Sequence, residues 1–233
     1  MQAALATARP AYAAAAYMLP NRTPAGSPRW KEATPSTVSE TRRTFAADEG
    51  IFSEGDTTAF FYKVVSGAVR TYKLLNDGRR QIDAFHLAGD IFGLECGATH
   101  RYSAEAIREA VVVVYNRSAL KSVTQPDTGF SDQMLAAMTR QLESAQNHLL
   151  VLGCKNAHEK LATFLLGMAS RLTKERSVEL PMMRSDIADH LGLTIETVSR
   201  TMSELVRDGI IALPRDRRTI ELRDVATLRR LSA

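Results

Sequence analysis

The 233-residue chain carries 30 Lys/Arg against 26 Asp/Glu, a formal net charge of +4, with 45% hydrophobic residues, and is long enough for one large domain or two smaller ones. In residues 1–44 six basic side chains (Arg9, Arg22, Arg29, Lys31, Arg42, Arg43) meet only Glu32 and Glu40, so the whole basic excess lies there and the remainder is formally neutral. Nucleic-acid binding must therefore rest on where individual arginines sit, not on overall basicity. No apolar run approaches a membrane span, and the N-terminus lacks a compact apolar core with a charged flank, so a cytoplasmic soluble protein is expected. Cys96 and Cys154 are too few and too far apart for a disulfide scaffold or a cysteine-rich metal site.

Residues 1–40 are rich in Ala, Pro, Ser and Thr, with Pro10, Pro20, Pro24, Pro28 and Pro35 interrupting any helix, and read as a mobile N-terminal tail. Residues 41–127 change to short alternating runs, FFYKVVSG, AVRTYKLLNDGRRQIDAFH, GDIFG, YSAEAI and AVVVVY, with turn signals at Gly55, Gly67, Gly78 and Gly89. Many short strands of this kind predict an antiparallel β-roll or jelly roll. Over residues 128–153 the period lengthens: Leu135, Met138, Leu142, Ala145, Leu149 and Leu152 step by three and four, as an a/d seam does. An a/d-only stripe suits a symmetric partner helix, so the seam predicts a parallel homodimer. Gly153 and Cys154 interrupt this helix before a second amphipathic segment with Leu161, Phe164, Leu165 and Met168 inward, and mark an expected hinge.

Residues 154–233 read as a winged helix-turn-helix, which makes the chain an α+β protein. Ile187, Ala188 and Leu191 give a first helix its apolar stripe, Gly192 breaks it, and Thr194 caps a second helix in which Val198, Met202 and Leu205 recur at helical spacing. That spacing leaves Glu196, Ser199 and Arg200 together on the opposite face. In a DNA-binding helix-turn-helix the start of the second helix meets base edges in the major groove. Arg can pair with guanine O6 and N7, Glu can accept from cytosine N4, and Ser can bond to several edges. Gly209 ends the helix, and IIALPRDRRTIELRD alternates around a Pro214-Arg215-Asp216 turn, a two-stranded wing anchored by Ile210, Leu213, Ile220 and Leu222. Arg215, Arg217 and Arg218 on the wing, with Thr194 and Thr197 at the helix start, are placed to meet phosphate, which adds affinity without sequence information. A two-fold dimer would present two such helices about 34–36 Å apart, one turn of B-DNA, so the expected target is a palindrome in double-stranded DNA.

The order β-roll, long helix, winged helix resembles the CRP/FNR family of bacterial transcription regulators from about residue 41 to 230. Ile195-Glu196-Thr197-Val198-Ser199-Arg200 resembles the E-x-x-S-R recognition signature of its FNR and FixK branch, and Asp77–Ile82 with Phe85–Gly93 resembles the roll of that branch. The resemblance implies a TTGA-type half-site with Arg200 on guanine, Glu196 on the opposing cytosine and Ser199 near thymine. It also implies activation of genes for low-oxygen respiration, denitrification or nitrogen fixation, and RNA polymerase contact through the turn Leu75, Asn76, Asp77 and Gly78. The turn chemistry alone also accounts for those residues. The cysteine cluster that holds an iron–sulfur centre in FNR-type sensors has no counterpart in residues 1–50. The family's cyclic-nucleotide segment runs here as Gly89-Asp90 to Arg101-Tyr102-Ser103-Ala104, with Tyr102 inserted. The expectation is a FixK-like regulator with no cofactor and no metal; the alternative is a regulator gated by a cyclic nucleotide or by oxidation of Cys154 or Cys96.

An enzyme is the contrasting class. A metal-dependent β-roll oxygenase needs two histidines one residue apart plus a carboxylate and a third histidine. His86, His100, His148, His158 and His190 contain no such pair, and Cys96 with His100 is too little for a haem or metal site. No Ser or Cys sits in a motif for an activated nucleophile.

Overall fold

The computed structural model describes residues 40–118, 128–172, 177–214 and 218–233. The predicted tail lies outside them except for its last residue, as do Arg215, Asp216 and Arg217 of the wing turn. The N-terminal part is an antiparallel sheet of β1 (Glu40–Phe45), β2 (Gly50–Phe52), β3 (Phe60–Leu74), β4 (Arg80–Leu87), β5 (Ile91–Phe92) and β6 (Ser103–Asn116). Its main path is β1-β6-β3-β4, with β2 paired to β6 and β5 to β3.

The short strands read from the sequence merge into two long ones. Gly67, expected as a turn, lies inside β3, where the register with β6 shifts on either side of Ser66. Its φ is +83°, and a Cβ there would stand 2.3 Å from the Glu109 carbonyl oxygen, so glycine lets β3 kink against β6 without leaving the sheet. Gly78, by contrast, is a true turn residue at φ +84° between β3 and β4.

Long strands are possible because the sheet is covered on both faces. Val112 and Val114 of β6 point inward to Phe52, Tyr62, Val64, Val69 and Phe92. Val113 and Tyr115, one residue out of phase, pack with Phe61, Ile91, Met134 and Ala137 beneath helix α1 (Thr128–Cys154). The unbroken run AVVVVY is thus a strand buried twice. The roll interior is filled by stacked rings: Phe52 lies 3.7 Å from His100 and 5.4 Å from Tyr62, and Phe92 lies 5.2 Å from Tyr62 and 5.0 Å from His86.

Helix α1 turns Met134, Ala137 and Val151 to its own chain. Leu135, Leu142 and Leu149 of the expected seam are 66%, 60% and 70% exposed, with Met138 and Ala145 also exposed beside them. Leu152 departs from this stripe. It is half-buried, and its Cδ2 reaches 3.4 Å from where a Cβ on Gly192 would stand.

Helix α2 (Ala157–Leu172) buries Leu161, Phe164, Leu165 and Met168. After it come β7 (Ser177–Glu179), α3 (Arg184–Leu191), α4 (Ile195–Arg207), β8 (Ile211–Ala212), β9 (Thr219–Leu222) and α5 (Val225–Ser232). The wing sheet has the order β7-β9-β8. Strand β7 was not legible: three residues show no period, and Ser177–Glu179 is extended because it pairs with Thr219–Glu221. The expected hinge at Gly153 and Cys154 is bridged by side chains. Ala68, Ile82, Phe85 and Leu87 of the roll share one core with Val151, Leu161, Phe164, Ile187 and Leu191.

Two histidines, the buried His86 and the half-buried His190, should make this fold acid-sensitive. His86, whose Nε2 is 3.1 Å from the Thr71 hydroxyl, is held down to about 4 by burial, and His190 to about 3 by burial and then by the neighbouring His148, against 6.5 for the free side chain. The unfolded chain therefore binds protons that the folded chain refuses. Stability is complete above pH 6.5 and declines as pH falls toward 4, by about 1.4 kcal/mol per pH unit for each histidine in that window. Urea unfolding at pH 7.0, 5.5 and 4.5 should show this decline, and His86→Asn should flatten it; an equal slope in that variant would exclude His86 as its source.

Candidate nucleic-acid interface

The helix-turn-helix is closed by local chemistry at each end. Asp186 accepts from the Met183 backbone N–H at 3.2 Å, completing the first turn of α3. Gly192 ends α3 at φ +61°, a left-handed position where a side chain would be strained, and the Leu193 N–H returns to the Ala188 carbonyl at 3.0 Å. Thr194 then caps α4, its hydroxyl accepting from the Thr197 N–H at 3.2 Å. Val198, Thr201, Met202 and Leu205 are buried beneath the helix.

The opposite face carries the expected reading residues. Glu196 and Arg200 are exposed, and Ser199 and Thr197 are half-buried between them and the body. Hydrogen bonds from its own backbone N–H and from Thr194 hold the Glu196 carboxyl below the ordinary carboxylate range. It is therefore an ionised acceptor at the positive end of α4. A capped helix presenting a carboxylate, a hydroxyl and a guanidinium on adjacent turns supplies acceptor and donor groups to base edges at a fixed spacing.

The structure adds Arg184, whose Nη1 lies 3.5 Å from the Ser199 hydroxyl oxygen. It brings a second guanidinium beside the reading face. Its sequence signal was a basic residue in the first turn of a helix, where the macrodipole disfavours positive charge, so helix stability does not explain it. In the wing, Ile210, Ile220 and Leu222 are buried and Leu213 half-buried, and the Leu180 N–H donates to the Arg218 carbonyl at 3.0 Å. Arg218 is exposed at the near end of the wing turn, whereas Arg215 and Arg217 lie outside the described residues.

The other expected sites are spread over the surface. Leu75, Asn76, Asp77 and Gly78 are all exposed at the β3–β4 turn, closed by the Asp77 carboxylate on the Arg79 N–H at 3.1 Å and on the Arg79 Nε at 2.7 Å. Cys154, at the end of α1, and Cys96 are exposed free thiols. His100 is buried against Phe52 and pairs with Glu95 at 3.1 Å. Among the described residues no three His, Cys, Asp or Glu side chains gather as a metal site, and no helix is long and apolar enough to cross a membrane.

Of the residues in the segment that corresponds to the family's cyclic-nucleotide site, two are engaged by the chain itself and one is turned to solvent. Asp90 is engaged by the Leu87 N–H at 2.8 Å and by Arg171, Ser103 accepts from the Glu54 N–H at 3.0 Å, and Arg101 is exposed. Inside, His86 is neutral at physiological pH and bonded to Thr71, so it offers no positive charge to a cyclic phosphate.

A capped reading helix, a wing and a β-roll scaffold together define a sequence-specific DNA-binding transcription regulator. Comparison with known proteins narrows that class. Residues 159–231 match the Crp-like helix-turn-helix domain and residues 42–127 the cyclic nucleotide-binding domain. The chain is 46% identical over 198 residues to the nitrogen fixation regulation protein FixK of Azorhizobium caulinodans, covering 83% of this chain and 79% of that one. It is 42% identical over 188 residues to the FixK protein of Rhizobium meliloti, covering 81% and 85%. The structure of FixK2 from Bradyrhizobium japonicum superposes with a TM-score of 0.78 at 46% identity, covering 83% of this chain and 98% of that one. The chain belongs to the CRP/FNR family of transcription regulators and is of the FixK type.

Proposed function

We propose that this regulator binds, as a cytoplasmic homodimer, a palindrome of TTGA-type half-sites and activates genes of low-oxygen respiration or nitrogen fixation without a small-molecule effector and without enzymatic activity. The observation that carries the reading is the row Glu196, Ser199 and Arg200, exposed at Glu196 and Arg200 and half-buried at Ser199, on a helix whose start is fixed by Thr194. In this reading Arg200 takes guanine, Glu196 the opposing cytosine and Ser199 the neighbouring thymine. Thr194, Thr197, Arg215, Arg217 and Arg218 meet phosphates, and the turn Leu75–Gly78 meets RNA polymerase. Similarity to nitrogen fixation regulation proteins supports the class of target gene.

The dimer reading is supported by the stripe Leu135, Met138, Leu142, Ala145 and Leu149, whose exposure in a single chain leaves a continuous apolar face along α1. The effector-free reading is supported by the ring-filled roll and by the engaged side chains of Asp90 and Ser103. Oxidation at Cys154, an exposed thiol beside the domain junction, is the competing route of control.

Arg200→Ala should cost about 1–3 kcal/mol on the preferred site and relax preference at one base pair, while Arg217→Ala weakens all sequences alike. Selection of bound sequences from random DNA reads both effects; an unchanged preference in Arg200→Ala would remove the recognition assignment. Leu142→Glu buries an unpaired carboxylate in each half of the dimer and should yield monomers that no longer bind the palindrome. Sedimentation showing an intact Leu142→Glu dimer contradicts the seam. Adding cyclic AMP should change DNA affinity by less than about tenfold, under about 1.4 kcal/mol of coupling. Titration with and without the nucleotide tests this, and a strict requirement for it sinks the effector-free reading. Peroxide inactivation abolished by Cys154→Ser would move control to that thiol.

A further inference from the structure

The first helix of the helix-turn-helix is seated on the roll at both of its ends. At the N-terminal end the Asp186 carboxylate, 3% exposed, receives Arg70 Nη1 at 3.1 and 3.2 Å and Arg80 Nη2 at 2.5 Å. Arg80 Nε also reaches Asp189 at 2.9 Å, one turn further along α3. Arg70 is itself held from behind by Asp48 at 3.0 Å and by Glu105. At the C-terminal end the Gln81 side chain donates to the His190 carbonyl at 3.3 Å, and the His190 Nδ1 lies 3.1 Å from the Ile82 carbonyl oxygen. These tethers join residues more than a hundred positions apart, and all of them converge on α3, against which α4 packs.

Such a network is a poor way to gain stability. Desolvating buried ions offsets most of their attraction, and the Arg70 Nε is buried with no hydrogen-bond partner among the described residues. What the network supplies is direction. An apolar contact such as Phe85 on Phe164 tolerates sliding and rotation, whereas guanidinium–carboxylate contacts of fixed geometry do not.

We propose that Arg70 and Arg80 are positioning residues for DNA binding: through Asp186 and Asp189 they fix α3 on the roll and so set the angle and separation at which the two recognition helices of the dimer meet successive major grooves. The base contacts themselves belong to α4 and are untouched by this clamp. The proposal rests on the dimeric, palindrome-binding reading above. In that reading the rolls are held together through α1, and the clamp is the rigid link from α1 and the roll to each reading face. It also accounts for a DNA-competent geometry that needs no ligand to assemble it.

The experiment uses the full-length protein and three duplexes: the palindrome at its selected spacing, the same half-sites moved apart by one and by two base pairs, and a duplex with a single half-site. Wild type should bind the selected spacing far better than the altered ones. Arg80→Gln, at a partly exposed position, should lower affinity for the selected spacing about tenfold while losing less on the altered spacings and on the single half-site, so the preference for spacing collapses. Base preference within the half-site should stay unchanged. Gln81→Ala removes one of the two tethers at the other end of α3 without exposing a buried charge, should shift the spacing preference in the same direction, and serves where Arg80→Gln does not melt cooperatively. Folded, dimeric variants with the wild-type spacing preference, or with equal losses on all three duplexes, would overturn the proposal, since a merely structural role predicts the latter. Wild-type protein indifferent to spacing would instead overturn the dimeric reading and this clamp along with it.

Discussion

Strands β3 and β6 bury side chains on both faces, and this constraint organises the molecule. A sheet with one solvated face could have folded as an isolated roll. Here Val113, Tyr115 and Phe61 require cover on one outer region, and Ala68, Ile82 and Phe85 on another. Helix α1 supplies the first cover and the helix-turn-helix the second. Burial at roughly 25 cal/mol per Å² of apolar surface is the main favourable term in holding these parts together, but it does not discriminate among nearby orientations. Orientation comes from the polar contacts laid across the same surface, from Arg70, Arg80, Gln81 and Arg171 of opposing parts to Asp186, Asp189, His190 and Asp90.

The interior of the roll is packed with its own side chains, the feature on which the proposed effector-free reading rests. The chain matches a cyclic nucleotide-binding domain over residues 42–127, yet rings from Phe52, Tyr62, Phe92, His86 and His100 occupy the space between its strands. Filling that space with side chains keeps packing density high. It also sets the His86 imidazole, which burial holds neutral near pH 7, among those rings, so acid should weaken the same packing.

Charge is economical at the reading face. The chain's basic excess lies in residues 1–44, so the helix-turn-helix is not embedded in a broadly positive surface. In the proposed reading Arg200 acts as a placed group on α4, with Arg184 beside it and Glu196 as a negative one. In that reading the Glu196 carboxylate repels phosphate and is tolerable only where it meets a donor, which would give recognition a component that non-specific binding lacks.

The helix-turn-helix was legible in the sequence almost to the residue, because its determinants are local: Gly192 must adopt a left-handed backbone, Thr194 caps the helix that follows it, and Val198, Met202 and Leu205 recur at the helical period. The apolar stripe of α1 and the inward set of α2 were legible for the same reason. Strand β7, the fusion of short runs into β3 and β6 through Gly67, and the half-burial of Leu152 were not, because each depends on a partner far along the chain. Asp186 illustrates the boundary within one residue. Its bond to the Met183 N–H is local, three residues back along the chain. Its pairing with Arg70 and Arg80, more than a hundred residues away, was decided only when the sheet and the helix came together, since no local pattern encodes the distance between them.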